Sequence, residues 1–216
     1  MKKVLFFVLT VVLFQSCFTT SSLTVEDQQL METKLASIKG EYHSDGRCVY
    51  VQKVIEVDGT KDEIYVKLLE YLTRAYNDAN EVVQVKEKAD GVIICKGCFK
   101  FYVKDISEGS SREETAWHIY KAEIKDRKLR VTLSIDEMES YYPGFYSSVP
   151  GSFSIPASRD KYSILDCPPF KNYEDRIQQV RKGYILYHSV SKLLGIVDET
   201  KNALTKNPIY DKSDNW

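Results

Sequence analysis

The sequence predicts an α+β fold: a five-stranded antiparallel sheet with two helices on one face. Three observations carry this expectation. Val49, Val51, Ile55 and Val57 recur with period two, the spacing that places side chains on one face of a strand. Ile64, Tyr65, Leu68, Leu69, Leu72, Ala75 and Tyr76 follow at helical spacing behind a polar start. Four more alternating stretches precede a last helical one, so both helices need one apolar surface to bury against.

The first strand begins at Cys48, is interrupted on its apolar face only by Lys53, and stops at Asp58-Gly59. Thr60-Lys61-Asp62-Glu63 reads as a capping box, the Thr hydroxyl accepting an orphan N–H while Glu63 reaches back. The amphipathic helix that follows must lie on a sheet. Val82 to Lys88 and Val92 to Val103 form a hairpin about Ala89-Asp90-Gly91. In its second arm Ile93, Cys95, Gly97, Phe99, Phe101 and Val103 share one face, with Lys96, Lys100 and Tyr102 on the other. A second hairpin joins Trp117–Ile124 to Leu129–Ile135 through Lys125-Asp126-Arg127. Its last strand alternates cleanly, with Leu129, Val131, Leu133 and Ile135 inward and Arg130, Thr132 and Ser134 outward.

Residues 137–170 hold five of the six prolines and read as a long irregular loop, a feature that is uncommon in compact domains and usually functional or loosely ordered. Asn172 opens a final helix whose Ile177, Val180, Tyr184, His188 and Ser191 are spaced for one face. Leu193 and Leu194 add apolar weight, and Gly195 suits the position just past its end. The polar residues 198–216 read as a frayed tail.

Ahead of all this, Lys2 and Lys3 precede an apolar run from Val4 to Phe14, then Gln15, Ser16 and Cys17. That order is a secretory signal, too short to span a bilayer. With a cysteine straight after the small residue it resembles the lipobox of bacterial lipoproteins, which implies cleavage before Cys17 and lipidation of it. Phe14 and Gln15 depart from the strict pattern of Leu and a small residue, with Leu13 one place further out. Such departures are familiar in lipoproteins of Bacteroides-like bacteria. The bland alternative is an ordinary secreted protein with a spare thiol. The expected organisation is a signal peptide at 1–16, a tether with a short helix (Thr24 to Ile38) at 17–47, the α+β domain at 48–197 and the tail at 198–216. Residues Phe18 to Ser22 lack the acidic cluster that routes such lipoproteins to the surface, which favours the outer membrane with the domain facing the periplasm.

Removing residues 1–16 leaves 28 basic against 31 acidic side chains, a balance of −3. No strong field of either sign results, and nucleic acid is not an expected partner. The 15 tyrosines against nine phenylalanines suit half-buried sheets and also surfaces that bind by aromatic contact.

The order strand, helix, four strands, helix, together with the run from Val54 to Tyr65 (VIEVDGTKDEIY) and with Asp90-Gly91-Val92-Ile93, resembles domain of unknown function 4468. The resemblance covers about residues 48–135, with the final helix completing a βαββββα unit. It implies a TATA-binding-protein-like fold and an envelope protein of Bacteroides-like bacteria, and it supplies no site residues to carry over. Cys95 and Cys98 stand where small or polar residues are expected. The fold name implies nothing about DNA.

Candidate chemistry is thin. Cys95-Lys96-Gly97-Cys98 lies in a strand, where an offset of three puts the sulfurs on opposite faces unless Gly97 bulges. Zinc would need Cys48 and Cys167 as further ligands, and an even number of remaining cysteines permits disulfides. Structural cysteines are the favoured reading. His43, His118 and His188 are scattered, and His188 on an apolar stripe reads as a hydrogen-bonded core residue. Asp136, Glu137 and Glu139 read as solvated turn acids, without the ligand spacing of a calcium loop. No catalytic residue, metal site or cofactor is expected. Tyr141, Tyr142, Phe145 and Tyr146 form the candidate binding surface, weighed against the alternative that these rings finish the core.

The expected function is therefore that of a lipid-anchored envelope protein, non-enzymatic, binding an envelope protein or glycan through the open sheet face or the 137–170 loop. The alternative is an envelope enzyme or carbohydrate-processing accessory using that loop as a pocket. A third possibility is structural ballast, with the loop fully packed and no exposed apolar patch.

Overall fold

The computed structural model describes residues 23–76, 83–105, 110–144, 154 and 156–206. Cys17, the signal segment, Phe145 and Tyr146 lie outside the described residues. Seven strands make one antiparallel sheet: β1 (His43–Ser44), β2 (Val49–Glu56), β3 (Val83–Glu87), β4 (Val92–Asp105), β5 (Ser110–Lys125), β6 (Lys128–Tyr142) and β7 (Ser158–Ser163). Their order is β1-β2-β6-β5-β4-β3, with β7 pairing the far half of β6. The helices are α1 (Val25–Ser37), α2 (Lys61–Ala75) and α3 (Arg176–Thr205). The α+β reading holds, but five strands and two helices become seven and three among the described residues.

Both expected hairpins are present. Thr60 caps α2 as the sequence predicts: its hydroxyl accepts from the Glu63 N–H, and Glu63 Oε2 accepts from the Thr60 N–H at 2.8 Å. Ile64, Leu68 and Leu72 are buried from that helix, against Val51, Ile93, Tyr120, Leu129, Val131 and Leu133 from the sheet.

The extra strand length comes from the stretch expected to be a loop. Ala116 of β5 pairs with Met138 and His118 with Ile135, so Asp136 and Glu137 both oppose Trp117. This bulge shifts the alternation by one residue. Leu129, Val131, Leu133 and Ile135 point inward before it, and Met138 and Ser140 after it. The odd-numbered pattern breaks at the bulge, which hides the continuation of the strand. β7 then pairs Glu137–Tyr142, from Ser163 to Ser158.

The final helix also departs from expectation. It starts at the cap residue Asp175, passes Gly195 and ends at Thr205. Thr200 and Leu204, placed in the tail by sequence, are buried, as is Val197 just past the expected helix end. A mid-helix glycine costs about 1 kcal/mol relative to alanine, which burial of those three residues offsets. The predicted apolar stripe exists but faces α1, where Ile177, Val180 and Tyr184 pack with Met31 and Leu35. A different face, with Ile185, Leu186, Val190 and Leu193, meets the core. α1, capped by Thr24 and Asp27, thus lies docked on α3 rather than free in the tether, and Gly183 leaves room for Met31.

Gly97 marks a close approach on the inner face. A Cβ there would lie 2.5 Å from Tyr76 Cε1 and 3.0 Å from His118 Cε1, two rings with little room to yield. Gly97→Ala is expected to lower stability by about 1–3 kcal/mol, read as a reduced urea midpoint with an unchanged slope.

Candidate functional site

All three described helices lie on one side of the sheet or on one another, so no described residue outside the sheet covers the opposite face. Register fixes its side chains in rows across β2, β6, β5 and β4. One row is Val54, Arg130, Glu123, Val92; the next is Gln52, Thr132, Lys121, Ile94; the third is Tyr50, Ser134, Ile119, Lys96. Beyond the bulge, Trp117 stands beside Cys98, and the last row runs Arg159, Tyr141, Glu113, Tyr102. Val54, Ile119 and Tyr102 are 63%, 43% and 67% exposed, high for residues of their size.

Polar pairs frame this face at both ends. Glu123 accepts from Arg130 Nε at 2.8 Å and lies 3.4 Å from Lys121 Nζ. At the far end Glu113 accepts from Lys100 at 2.8 Å and from the Tyr102 hydroxyl at 3.1 Å. The Lys100 bond leads in holding the Glu113 carboxyl below its usual range. Arg159 pairs with Glu139, and Lys161 with Glu137. Between the ends lie Trp117, with Lys96 Nζ 5.8 Å from its ring centre, and Ile119. The Trp117 indole Nε1 is buried without a hydrogen-bond partner among the described residues. A hollow of about 400 Å³ opens around Val54, Val92, Glu123 and Arg130. This arrangement offers apolar contact and hydrogen bonds to a bound molecule. Among the described residues it contains no nucleophile paired with a base.

The opposite face holds a buried polar cluster at the far end of the sheet. The Glu114 carboxylate, fully buried, accepts from the Ser140 hydroxyl at 3.0 Å and the Tyr162 hydroxyl at 2.6 Å, and Arg181 Nη2 lies 3.4 Å away. Lys182 Nζ sits 3.1 Å from the centre of the Tyr162 ring. Burial raises the Tyr162 phenol far above its ordinary range, pushes the Cys167 thiol up to about 12 and lowers the Lys182 ammonium. Phenol and thiol therefore keep their protons. The cluster joins β5, β6, β7 and α3. Its members come from segments 114, 140, 162 and 181, so no local motif announces it. The only hint is two basic residues, Arg181 and Lys182, set among apolar helix positions.

The predicted aromatic surface is divided. Tyr141 points to the open face with Arg159 stacked 4.7 Å from its centre. Tyr142, one residue on, points to the helix side, where Arg112 lies 5.3 Å from its ring centre. Phe145 and Tyr146 lie outside the described residues. Cys48, Cys95, Cys98 and Cys167 are all free thiols. Cys95 is buried and Cys98 exposed, on opposite faces as the offset of three requires. Asp136 and Glu137 form the bulge, Glu137 and Glu139 being drawn into ion pairs. Among the described residues no group of three His, Cys, Asp or Glu could hold a metal.

His118 is buried, and its Nε2 lies 2.9 Å from the Tyr76 hydroxyl. Its Nδ1 has no hydrogen-bond partner among the described residues, and burial lowers its pKa to about 4. His188 is half-buried between Phe101, Tyr184 and Tyr187.

Residues 52–135 match the family model of a domain of unknown function (DUF4468) with TBP-like fold. No curated protein matches the chain. Two solved structures are similar. A DUF4468 family protein from Bacteroides ovatus ATCC 8483 aligns at 12% identity and TM-score 0.50, over 79% of this chain and 95% of that one. A TBP-like protein from Parabacteroides distasonis ATCC 8503 aligns at 13% identity and TM-score 0.47, over 74% and 97%.

Proposed function

We propose that this chain, whose residues 52–135 match the family model of a domain of unknown function (DUF4468) with TBP-like fold, is a lipid-anchored, non-enzymatic binding module of the cell envelope. Cys17 carries the lipid, on the outer membrane facing the periplasm, and the open sheet face contacts an envelope protein or glycan. The carrying observation is that face. Ile119, Val54 and Tyr102 stand exposed on a broad β-surface with the three described helices behind it. Exposed apolar groups rimmed by ion pairs are typical of interaction sites.

The rival pocket in the 137–170 stretch gathers little support. Part of that stretch is the end of β6 and all of β7. A cavity of about 710 Å³ lies at the other end of the sheet instead, around Glu56, Lys67, Arg127 and Leu204.

Two measurements test the reading. Native protein should show a lipid-sized excess of intact mass and stay in the membrane fraction, both lost in Cys17→Ala; a soluble, unmodified wild type sinks the anchor. A photocrosslinking residue at Ile119 should then capture an envelope component, while one at Val66, exposed on α2, should not. Equal capture from both positions sinks the open face as the contact.

A further inference from the structure

Among the described residues the sheet is open at one edge as well as on one face. β3 pairs with only four residues of β4, Val92 to Cys95. From Lys96 to Asp105, β4 continues with no described strand on that side. At about 3.3 Å per residue this edge is roughly 30 Å long.

Its chemistry follows from the hydrogen-bond phase. The Ile124 N–H donates to the Gly91 carbonyl at 2.8 Å, so Gly91 faces β5. The β4–β5 register then runs unbroken from Val92–Glu123 to Asp105–Ser110. Alternation turns the odd-numbered residues of β4 toward β5. Lys96, Cys98, Lys100, Tyr102 and Lys104 therefore direct their N–H and C=O groups to the open edge, and all five are exposed. The same residues point their side chains to the open face, three of them lysines. Lys100 is engaged by Glu113, whereas Lys96 and Lys104 have no ion-pair partner among the described residues.

On the other side the edge carries aromatic rings, with Asp27 of α1 near Lys104 at the strand end. Phe99 and Phe101 lie 6.2 Å apart between ring centres, and Phe101 lies 5.5 Å from His188. A cavity of about 190 Å³ at the strand end is lined by Asp27, Tyr102, Val103, Lys104, Tyr184 and His188.

We propose that this edge takes up an extended segment of a partner protein as an added strand, with acidic side chains on the open face and apolar ones on the helix side. Unpaired ladder groups template such a strand, and alternate side chains select it. Acidic residues opposite Lys96 and Lys104 form favourable cross-strand pairs. A second copy of β4 in antiparallel pairing brings lysines against lysines, which disfavours self-association. The proposal rests on the reading of the chain as a binding module, but not on the open face as its contact.

The test uses the full chain in detergent and a peptide of alternating Glu and Val about ten residues long, with a Lys-Val peptide as its counterpart. The acidic peptide should bind and slow hydrogen exchange at the amides of Lys96, Cys98, Lys100, Tyr102 and Lys104; the basic one should not. Reversing Lys96 and Lys104 together to Glu should weaken the acidic peptide about tenfold and favour the basic one. Tyr102→Pro removes an edge donor in a position where proline is tolerated and should abolish binding while the melting transition persists. Should that variant unfold, the charge reversal decides. No binding, equal binding of both peptides, or protection confined to other strands overturns the proposal. Capture from Ile119 with no binding of either peptide would retain the open face as a contact and sink the edge.

Discussion

Replacing Glu114 by alanine is expected to destabilise the fold by about 3–5 kcal/mol, the range for removing one partner of a buried ion pair. Glu114 is fully buried and Arg181 is 6% exposed. Without the carboxylate, the guanidinium is left in a low-dielectric interior, and the Ser140 and Tyr162 hydroxyls lose their acceptor. Urea unfolding of Glu114→Ala against wild type measures the loss. Glu114→Leu combined with Arg181→Met should recover part of it, because an apolar pair of similar volume leaves no charge stranded. A double variant no more stable than Glu114→Ala would show that the hydroxyls, rather than the lost ion pair, set the cost.

The second large effect is on pH dependence. The buried His118 imidazole has its pKa lowered to about 4 in the folded chain, against an ordinary value of 6.5. Between those values the unfolded chain binds a proton that the folded chain does not. Stability is thus fully present above pH 6.5 and is lost as pH falls through that window toward 4, by about 3 kcal/mol from this group. Partial burial of His188 lowers its pKa too and adds in the same direction. His118→Gln, which keeps a hydrogen-bonding group beside Tyr76, should flatten the stability profile between pH 6.5 and 4 relative to wild type. Identical profiles for both proteins would show that His118 does not carry the effect.

Much of the framework was legible in local pattern. The strand at Val49–Glu56, the capped helix at Lys61–Ala75 and the β3–β4 hairpin turn on period and capping alone, properties of neighbouring residues. The opposite placement of Cys95 and Cys98 was likewise a matter of strand geometry. The second half of β6 was not legible, because the bulge at Asp136–Glu137 exchanges the inward and outward sets. The end of α3 was misplaced because Gly195 carries a local stop signal, which the burial of Val197, Thr200 and Leu204 overrides.

The candidate surfaces divide in the same way. Tyr141 could be picked out as an aromatic residue, but only the pairing of β6 with β7 shows that Tyr142 faces the other side. The polar cluster around Glu114 and the open edge of β4 are products of chain crossing, joining segments tens of residues apart. By itself the sequence determined the alternation, the helix starts and the need for one shared apolar surface, because these follow from side-chain spacing along a single segment. The tertiary structure decided strand lengths, which helix face meets which neighbour, and which edge stays open. Those depend on free energies of burial and pairing between segments, and no local spacing encodes them.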